Sequence, residues 1–273
     1  MYAVFQDLHF VSLLHQRVGA NADFTLASGG SITNGGAVNQ SINCSIALTG
    51  SGATISPSVS GAGITLGGVI SGAANLTKSG SSGGTLTPTG LNTFSGALNF
   101  NAGTVVFTTP PDPSGANLGN PSGITFGGSS TTTLLTTPGA GSVTIAYPTI
   151  TANVNSTALF KNGAASGTVY EIAAKITGAG NCKQNTPSSS GASVRFSNDG
   201  NDYTGNFTMG AGIVEYSSVA DAGNAAALGG KGTGNYTVAN SSSAATLRYV
   251  GAGSCSTTRK VDWQATTGPL TLD

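Results

Sequence analysis

"LTKSGSSGGTLTPTGLNTFSG", residues 76–96, alternates apolar side chains with Thr and Ser, and its one charged residue is Lys78. Alternation at period two predicts short strands with one buried and one solvated face. The Gly and Asn residues between these strands favour tight corners, because Gly adopts positive φ without strain and Asn bonds to nearby backbone. The stretch therefore predicts a coil of short strands.

The composition limits the possible partners. The chain has 273 residues, 7% of them charged, with a net charge of zero and 38% hydrophobic residues. A neutral chain offers no electrostatic attraction to nucleic acid, and 38% apolar residues are enough to build a core. The best apolar run, "FVSLL" at residues 10–14, is far shorter than the roughly 18 residues of a membrane span. We therefore predict a folded, β-rich chain with no nucleic-acid partner and no membrane span.

The three cysteines, Cys44, Cys182 and Cys255, are too few and too widely separated for a disulfide framework or a Cys-x-x-Cys metal site. At least one of them has no partner within the chain. We interpret them as small core or loop residues and predict no cofactor.

The chain contains an internal repeat. "LNTFSGALNFNAGTVVF" (91–107) aligns without a gap with "GNDYTGNFTMGAGIVEY" (200–216) at an offset of 201 − 92 = 109 residues. The motif residues that align are Asn92 with Asn201, Phe94 with Tyr203, Gly96 with Gly205, and Gly103 with Gly212. Further along, "ANLG" (116–119) corresponds to "AALG" (226–229). A long repeat of short strands without helical periodicity predicts an all-β solenoid of parallel strands.

The repeat also predicts which side chains are buried. The positions of Val105 and Val214, and of Phe107 and Tyr216, stay apolar in both copies, so we predict these four residues in the core. The position between them changes from Val106 to Glu215, which predicts that Glu215 is a surface residue. At roughly 20 residues per coil, the solenoid would have about 12 coils. We predict no substantial helix, since only residues 219–230 have helix-forming composition and could form one turn ending at Gly229.

Residues 67–107 resemble the autotransporter-associated β-strand repeat, also called the passenger-associated transport repeat, of large bacterial surface proteins. The matching residues are Gly68, Ile70, Gly72, Leu76, Lys78, Gly80, Gly84, Thr85, Leu86, Gly90, Asn92, Phe94, Ser95, Gly96 and Gly103. A second copy at about 176–216 keeps "NDYTG" and "GAGIVEY" but departs from the pattern at its start. The resemblance implies a right-handed parallel β-helix in an autotransporter passenger domain, secreted across the outer membrane to the cell surface.

The resemblance covers residues 21–273, which we predict to be one β-helix of long degenerate repeats. Residues 1–20 match nothing downstream and are interpreted as a non-homologous segment, either a misplaced start or a degraded export segment. Because both ends resemble interrupted repeats, we expect further repeats of a longer parent protein.

The acidic residues offer little for catalysis. The only close pair is Asp199 and Asp202 in "SNDGND", a spacing that resembles a calcium loop. The corresponding residues of the other copy are Gly90 and Thr93, and a self-capping turn explains the pair equally well. The two aspartates are therefore weak metal candidates, and we predict no metal site and no catalytic residue.

Three functions are compatible with the sequence. The favoured hypothesis is a non-enzymatic stalk of an extracellular bacterial surface protein. A second is an adhesin that binds host or environmental glycans or surface proteins, because an adhesive face of Thr, Ser and Asn resembles any solvated face. The third is a β-helical polysaccharide lyase or hydrolase, for which the candidate site residues are Arg195, Asp199, Asp202 and Glu215.

Overall fold

The strands of the chain stack in parallel, turn upon turn. A computed structural model describes residues 3–10, 17–18, 23–109, 116–136, 141–146, 148–186, 191–229, 236–238, 244–264 and 268–273. These residues form 27 strands and no helix. The parallel sheets make a β-solenoid of about nine turns. The predicted all-β solenoid fold is confirmed.

The number of turns is smaller than the predicted 12 because most turns are longer than 20 residues. Leu76 pairs with Leu98, 22 positions later in the next turn. Val214 pairs with Leu247, 33 positions later. The strands keep their register while the corners between them take up extra residues, as repeat solenoids allow.

The first compact unit comprises Met1–Thr132. Its strands are β1 (Ala3–Phe10), β2 (Arg17–Val18), β3 (Phe24–Asn34), β4 (Gln40–Ile42), β5 (Ile46–Leu48), β6 (Gly52–Pro57), β7 (Gly63–Leu66), β8 (Ile70–Gly72), β9 (Asn75–Lys78), β10 (Thr85–Pro88), β11 (Leu98–Phe100), β12 (Gly103–Phe107) and β13 (Ile124–Phe126). Within this unit one sheet has the order β8-β5-β3-β6-β9-β11-β13, and another the order β2-β4-β7-β10-β12. The long strand β3 pairs with β5 through its first half and with β6 through its second half.

The second compact unit comprises Thr133–Asp273. The remaining strands are β14 (Thr131–Thr136), β15 (Val143–Ile145), β16 (Ile150–Ala152), β17 (Thr157–Asn162), β18 (Val169–Ile172), β19 (Ile176–Thr177), β20 (Asn181–Gln184), β21 (Ser193–Phe196), β22 (Phe207–Met209), β23 (Gly212–Tyr216), β24 (Tyr236–Val238), β25 (Ala245–Tyr249), β26 (Val261–Trp263) and β27 (Leu270–Leu272). Here the sheet orders are β17-β20-β22-β24-β26 and β15-β18-β21-β23-β25-β27, and β16 pairs with β19. In the second unit, each strand thus lies in a different sheet from the strand that precedes it in the chain.

Apolar residues at alternate positions fill the interior of each unit. Burial alternates along β10, where Leu86 is buried between the half-buried Thr85 and Thr87. Aromatic side chains stack from turn to turn, as in the edge-to-face pair of Phe100 and Phe126, whose ring centroids lie 5.3 Å apart. Such pairs add about 0.5–1.5 kcal/mol beyond the area they bury.

The predicted core residues do not all share the same environment. Val105, Phe107 and Val214 are buried, as predicted. Tyr216 is only half-buried, and its ring packs against Tyr249 of the following turn with centroids 5.6 Å apart. The prediction that Tyr216 is a core residue was therefore only partly right: the side chain is half-buried because it lies at the corner where β23 ends.

Parts of residues 1–20 belong to the sheets. β1 pairs in parallel with β3, and β2 pairs with β4. These pairings place both strands in the sheets, and the interpretation of residues 1–20 as a non-homologous segment stays a prediction. Residues 1–2, 11–16 and 19–20 lie outside the described residues.

The structure also describes the cysteines and the turn that ends at Gly229. All three cysteines are free thiols, with Cys44 and Cys182 buried and Cys255 exposed. The potential helical turn is a single turn in which the Gly229 amide donates to Ala226 O at 2.7 Å, and Gly229 has a φ of 73°. No helix in the described part of the chain is long and apolar enough to cross a membrane.

Candidate functional site

The asparagines of the repeat join successive turns. Asn92 is fully buried; its Oδ1 accepts from the Ile70 amide at 2.7 Å and its Nδ2 donates to Asn117 O at 2.6 Å. The side chain therefore satisfies backbone groups in the turn before it and in the turn after it. Unpaired, each such buried group would cost about 1–3 kcal/mol.

Asn201 has the same role in the second copy. Its Oδ1 accepts from the Ile176 amide at 2.7 Å, and its Nδ2 donates to Ala227 O at 2.8 Å. The side chain is also fully buried. The alignment of Asn92 with Asn201 thus corresponds to one hydrogen-bonding function repeated in the two units.

A second asparagine pair extends the repeat towards its start. Asn75 Oδ1 accepts from the Ala97 amide at 2.8 Å, and Asn181 Oδ1 accepts from the Asn206 amide at 2.9 Å. The second copy therefore keeps this bond although its sequence departs from the motif. The signal available in the sequence was the first Asn of "NLTK" and "NCKQ", which open β9 and β20.

Phe94 and Tyr203 occupy the same kind of niche beside a glycine. A Cβ on Gly119 would lie 2.6 Å from the Phe94 ring, and a Cβ on Gly229 would lie 2.2 Å from the Tyr203 ring. Both rings are buried, and the Tyr203 hydroxyl donates to Leu228 O at 2.6 Å. Burial raises the pKa of Tyr203 well above its ordinary value, so this hydroxyl stays protonated and keeps the bond.

The other motif glycines are needed for close approach between turns. At each of them a Cβ would lie only 2.0–2.5 Å from a backbone carbonyl oxygen, too close for any side chain. The contacts are Gly68 against Cys44, Gly72 against Leu48, Gly80 and Gly84 against Pro57, Gly90 against Gly68, Gly96 against Ala74, Gly103 against Gly84, Gly205 against Gly180, and Gly212 against Thr186. These residues therefore set the spacing of the turns.

Lys78 and Gln184 are the buried polar residues that end β9 and β20. Lys78 Nζ donates to Ser79 O and to Ala102 O, each at 2.8 Å. Burial disfavours the charged amine and lowers the pKa of Lys78 to about 8. Gln184 is equally buried, and neither polar atom of its side chain has a hydrogen-bond partner.

Charged side chains of alternating sign line one outer face of the second unit. We call this set the charge column; its members are Glu171, Arg195, Glu215, Arg248 and Asp273. Arg195 Nη2 lies 2.7 Å from Glu215 Oε2, and Arg248 Nη1 lies 3.3 Å from Glu215 Oε1. Arg248 Nε also donates to Asp273 Oδ2 at 2.7 Å. The parallel register places these residues next to one another although 20 or more residues separate them in sequence.

Glu215 points outward as predicted, but it is not exposed. Only 6% of its side chain is accessible, because Arg195 and Arg248 cover it from the preceding and the following turn. The prediction of a simple surface residue was therefore wrong. The repeat alignment shows the direction of the side chain and not what the neighbouring turns place over it.

The candidate enzyme residues Arg195, Asp199, Asp202 and Glu215 do not form one site. Arg195 and Glu215 are brought together, as described above. Asp199 Oδ1 accepts from Ser217 Oγ at 2.7 Å and from Ser218 Oγ at 2.6 Å, whereas Asp202 Oδ2 pairs with Lys175 Nζ at 2.7 Å. Within the described ranges, no group of three or more His, Cys, Asp or Glu side chains could hold a metal ion.

A pattern in the sequence could have revealed the charge column. Four strands place a charged residue between two apolar or aromatic neighbours: "YEI" in β18, "VRF" in β21, "VEY" in β23 and "LRY" in β25. The sign alternates from each tripeptide to the next. Alternating charges at equivalent strand positions of successive turns predict cross-strand ion pairs.

Comparison with known proteins identified no relative: no family model, curated protein or solved structure matches the chain. The resemblance to the autotransporter-associated repeat therefore stays a prediction from the motif residues themselves.

Proposed function

We propose that this chain is a non-enzymatic β-solenoid segment of a bacterial surface protein, a stalk or passenger outside the cell. The observation that carries the proposal is the use of Asn92 and Asn201, whose side-chain amides join one turn to the next in both copies. The motif glycines support it, since they too serve the stacking of turns. The distinctive residues of this repeat stabilise the stacking of its own turns. Such a repeat is suited to act as a rigid spacer with exposed surfaces on its sides.

The extracellular location follows from the motif resemblance alone and is tested on cells. Antibodies raised against the purified chain should label intact cells of the source bacterium as strongly as lysed cells. An antibody to a cytoplasmic protein, which should label only lysed cells, is the matched control. Labelling of this chain only after lysis would overturn the surface location.

The enzyme hypothesis has a direct test. The chain is incubated with neutral and acidic polysaccharides, and new reducing ends and unsaturated products are measured. We expect no turnover, because both Glu215 oxygens are engaged by arginines. Turnover that is lost in Glu215→Gln and kept in Glu171→Gln would replace the stalk by a polysaccharide-cleaving enzyme.

A further inference from the structure

Hydroxyl and amide side chains form two aligned columns on one outer face of the first unit. The face, which we call the hydroxyl face, belongs to the second half of β3 and to β6, β9, β11 and β13. The first column is Ser31, Thr54, Thr77, Asn99 and Thr125, one residue from each of five successive turns in direct register. Two residues further along the chain, the second column is Thr33 on β3, Ser56 on β6, and Ser79 and Asn101, which lie one residue beyond the ends of β9 and β11. All are half-buried or exposed.

The five strands of the hydroxyl face carry no exposed charge, although at its edge Asp7 of β1 lies in register with Ser31. From residue 24 to residue 109 the only charged residue is Lys78. Its side chain is buried and donates to two carbonyl oxygens, so it contributes no exposed charge. Charge complementarity therefore favours a neutral ligand.

The spacing of the columns is fixed by the backbone. Neighbouring strands lie about 4.8 Å apart, and residues two apart on one strand are separated by about 6.6 Å. The hydroxyl face is thus a rectangular lattice of weak hydrogen-bonding groups. The register has no shift across the five turns, so the lattice is regular in both directions.

The chemistry of the face gives a ligand that displaces water only a small advantage per contact. An exposed hydroxyl already bonds to water, so exchanging that bond for one to a ligand yields little net free energy. A ligand that leaves water on the hydroxyls, and aligns with many of them at once, avoids this exchange. A crystal of water has that property, because its surface oxygens also repeat at intervals of a few ångströms.

We propose that the hydroxyl face binds ice. Thr54, Thr77 and Thr125 supply a methyl group, which limits the orientations of nearby water, together with a hydroxyl that bonds to it. The regular columns hold the waters in a pattern that a growing ice plane can continue. The activity is independent of the location proposed above, since it rests on the face and not on the motif resemblance.

The test uses the full chain in slowly grown polycrystalline ice. We expect the protein to be enriched in the ice fraction relative to the remaining liquid, where albumin is excluded. Thr77→Tyr, at the centre of the first column, should lose the enrichment because the ring breaks the lattice. Thr208→Tyr is the matched control, because Thr208 on β22 is also a half-buried, outward-facing Thr. Its neighbours in register are Lys183 on β20 and Thr237 on β24, so it lies outside the hydroxyl face. This variant should keep the enrichment. Ser56→Tyr in the second column repeats the test, and circular dichroism establishes that each variant is folded.

Each outcome decides the proposal. Exclusion of the wild-type chain from ice would overturn it, as would equal enrichment of Thr77→Tyr and Thr208→Tyr. Retention on microcrystalline cellulose at room temperature, lost in Thr77→Tyr, would assign the hydroxyl face to a polysaccharide and overturn the assignment to ice. Enrichment in ice that Thr77→Tyr and Ser56→Tyr lose and Thr208→Tyr keeps would support it.

Discussion

The two copies of the repeat, at 67–107 and 176–216, use different residues in their interiors and the same residues between their turns. Asn92 and Asn201 make equivalent bonds to the preceding and the following turn. By contrast, a buried lysine with two acceptors ends β9, whereas a buried glutamine without a partner ends β20. The contacts that set the turn spacing are thus more uniform than the contacts that fill the space, which indicates where the sequence is constrained.

The largest expected difference concerns two aligned aromatic residues. Phe107→Ala should lower the free energy of unfolding by about 3–5 kcal/mol because it empties a fully buried site, and Tyr216→Ala by only about 1–2 kcal/mol because that ring is half-buried. Urea denaturation measures both. Equal losses would mean that the two positions are equally part of the core.

The asparagines should behave alike. Asn92→Ala and Asn201→Ala each leave one amide and one carbonyl of neighbouring turns unpaired, so each should cost about 2–3 kcal/mol. The control is Asn99→Ala, an outward half-buried residue for which we expect a change within about 0.5 kcal/mol. A loss confined to one copy would contradict their equivalence.

Lys78 should make the first copy sensitive to pH. Its pKa is about 8 in the folded chain, against an ordinary value of 10.5. Between pH 8 and pH 10.5 the unfolded chain binds more protons than the folded chain, so the free energy of unfolding rises with pH in this range. The same stabilisation is lost as pH falls through 8. From pH 7 to pH 10 we expect a gain of about 2 kcal/mol relative to Lys78→Met, measured by urea midpoints. Parallel pH profiles of the two proteins would show that the amine is not desolvated.

Gln184 offers the opposite test in the second copy. Gln184→Met replaces a buried amide without partners by an apolar side chain of similar length, and should raise the free energy of unfolding by about 1 kcal/mol. Gln184→Glu, of matched shape but able to carry a charge, should destabilise the chain at neutral pH. Loss of stability in Gln184→Met would reveal a hydrogen bond that the amide makes.

The smallest expected effect concerns the charge column. In a double-mutant cycle of Arg195→Ala and Glu215→Ala, the coupling should be about 0.5–1 kcal/mol, because Arg195 remains about one-third exposed. The coupling should shrink at high salt. A salt-independent coupling of several kcal/mol would instead indicate a fully desolvated pair.

The sequence was sufficient to predict the stacking of strands and insufficient to predict what lies over each side chain. The alternation around Leu86 and the glycines after it indicated strands and corners directly. The neighbours of Glu215 depend on register between turns, and the turn from Val214 to Leu247 spans 33 residues whereas that from Val194 to Val214 spans 20. Since the corner lengths vary, no fixed offset relates Arg195, Glu215 and Arg248, and only the similar tripeptides around them, not a constant spacing, indicate that they meet.

The two-way bonding of Asn92 ties the stability of one turn to that of its neighbours. Its Oδ1 accepts from the turn before and its Nδ2 donates to the turn after. Loss of either neighbouring turn would therefore leave a buried polar group of Asn92 unpaired, at a cost of about 1–3 kcal/mol. Such coupling between nearest neighbours makes adjacent turns unfold together rather than singly.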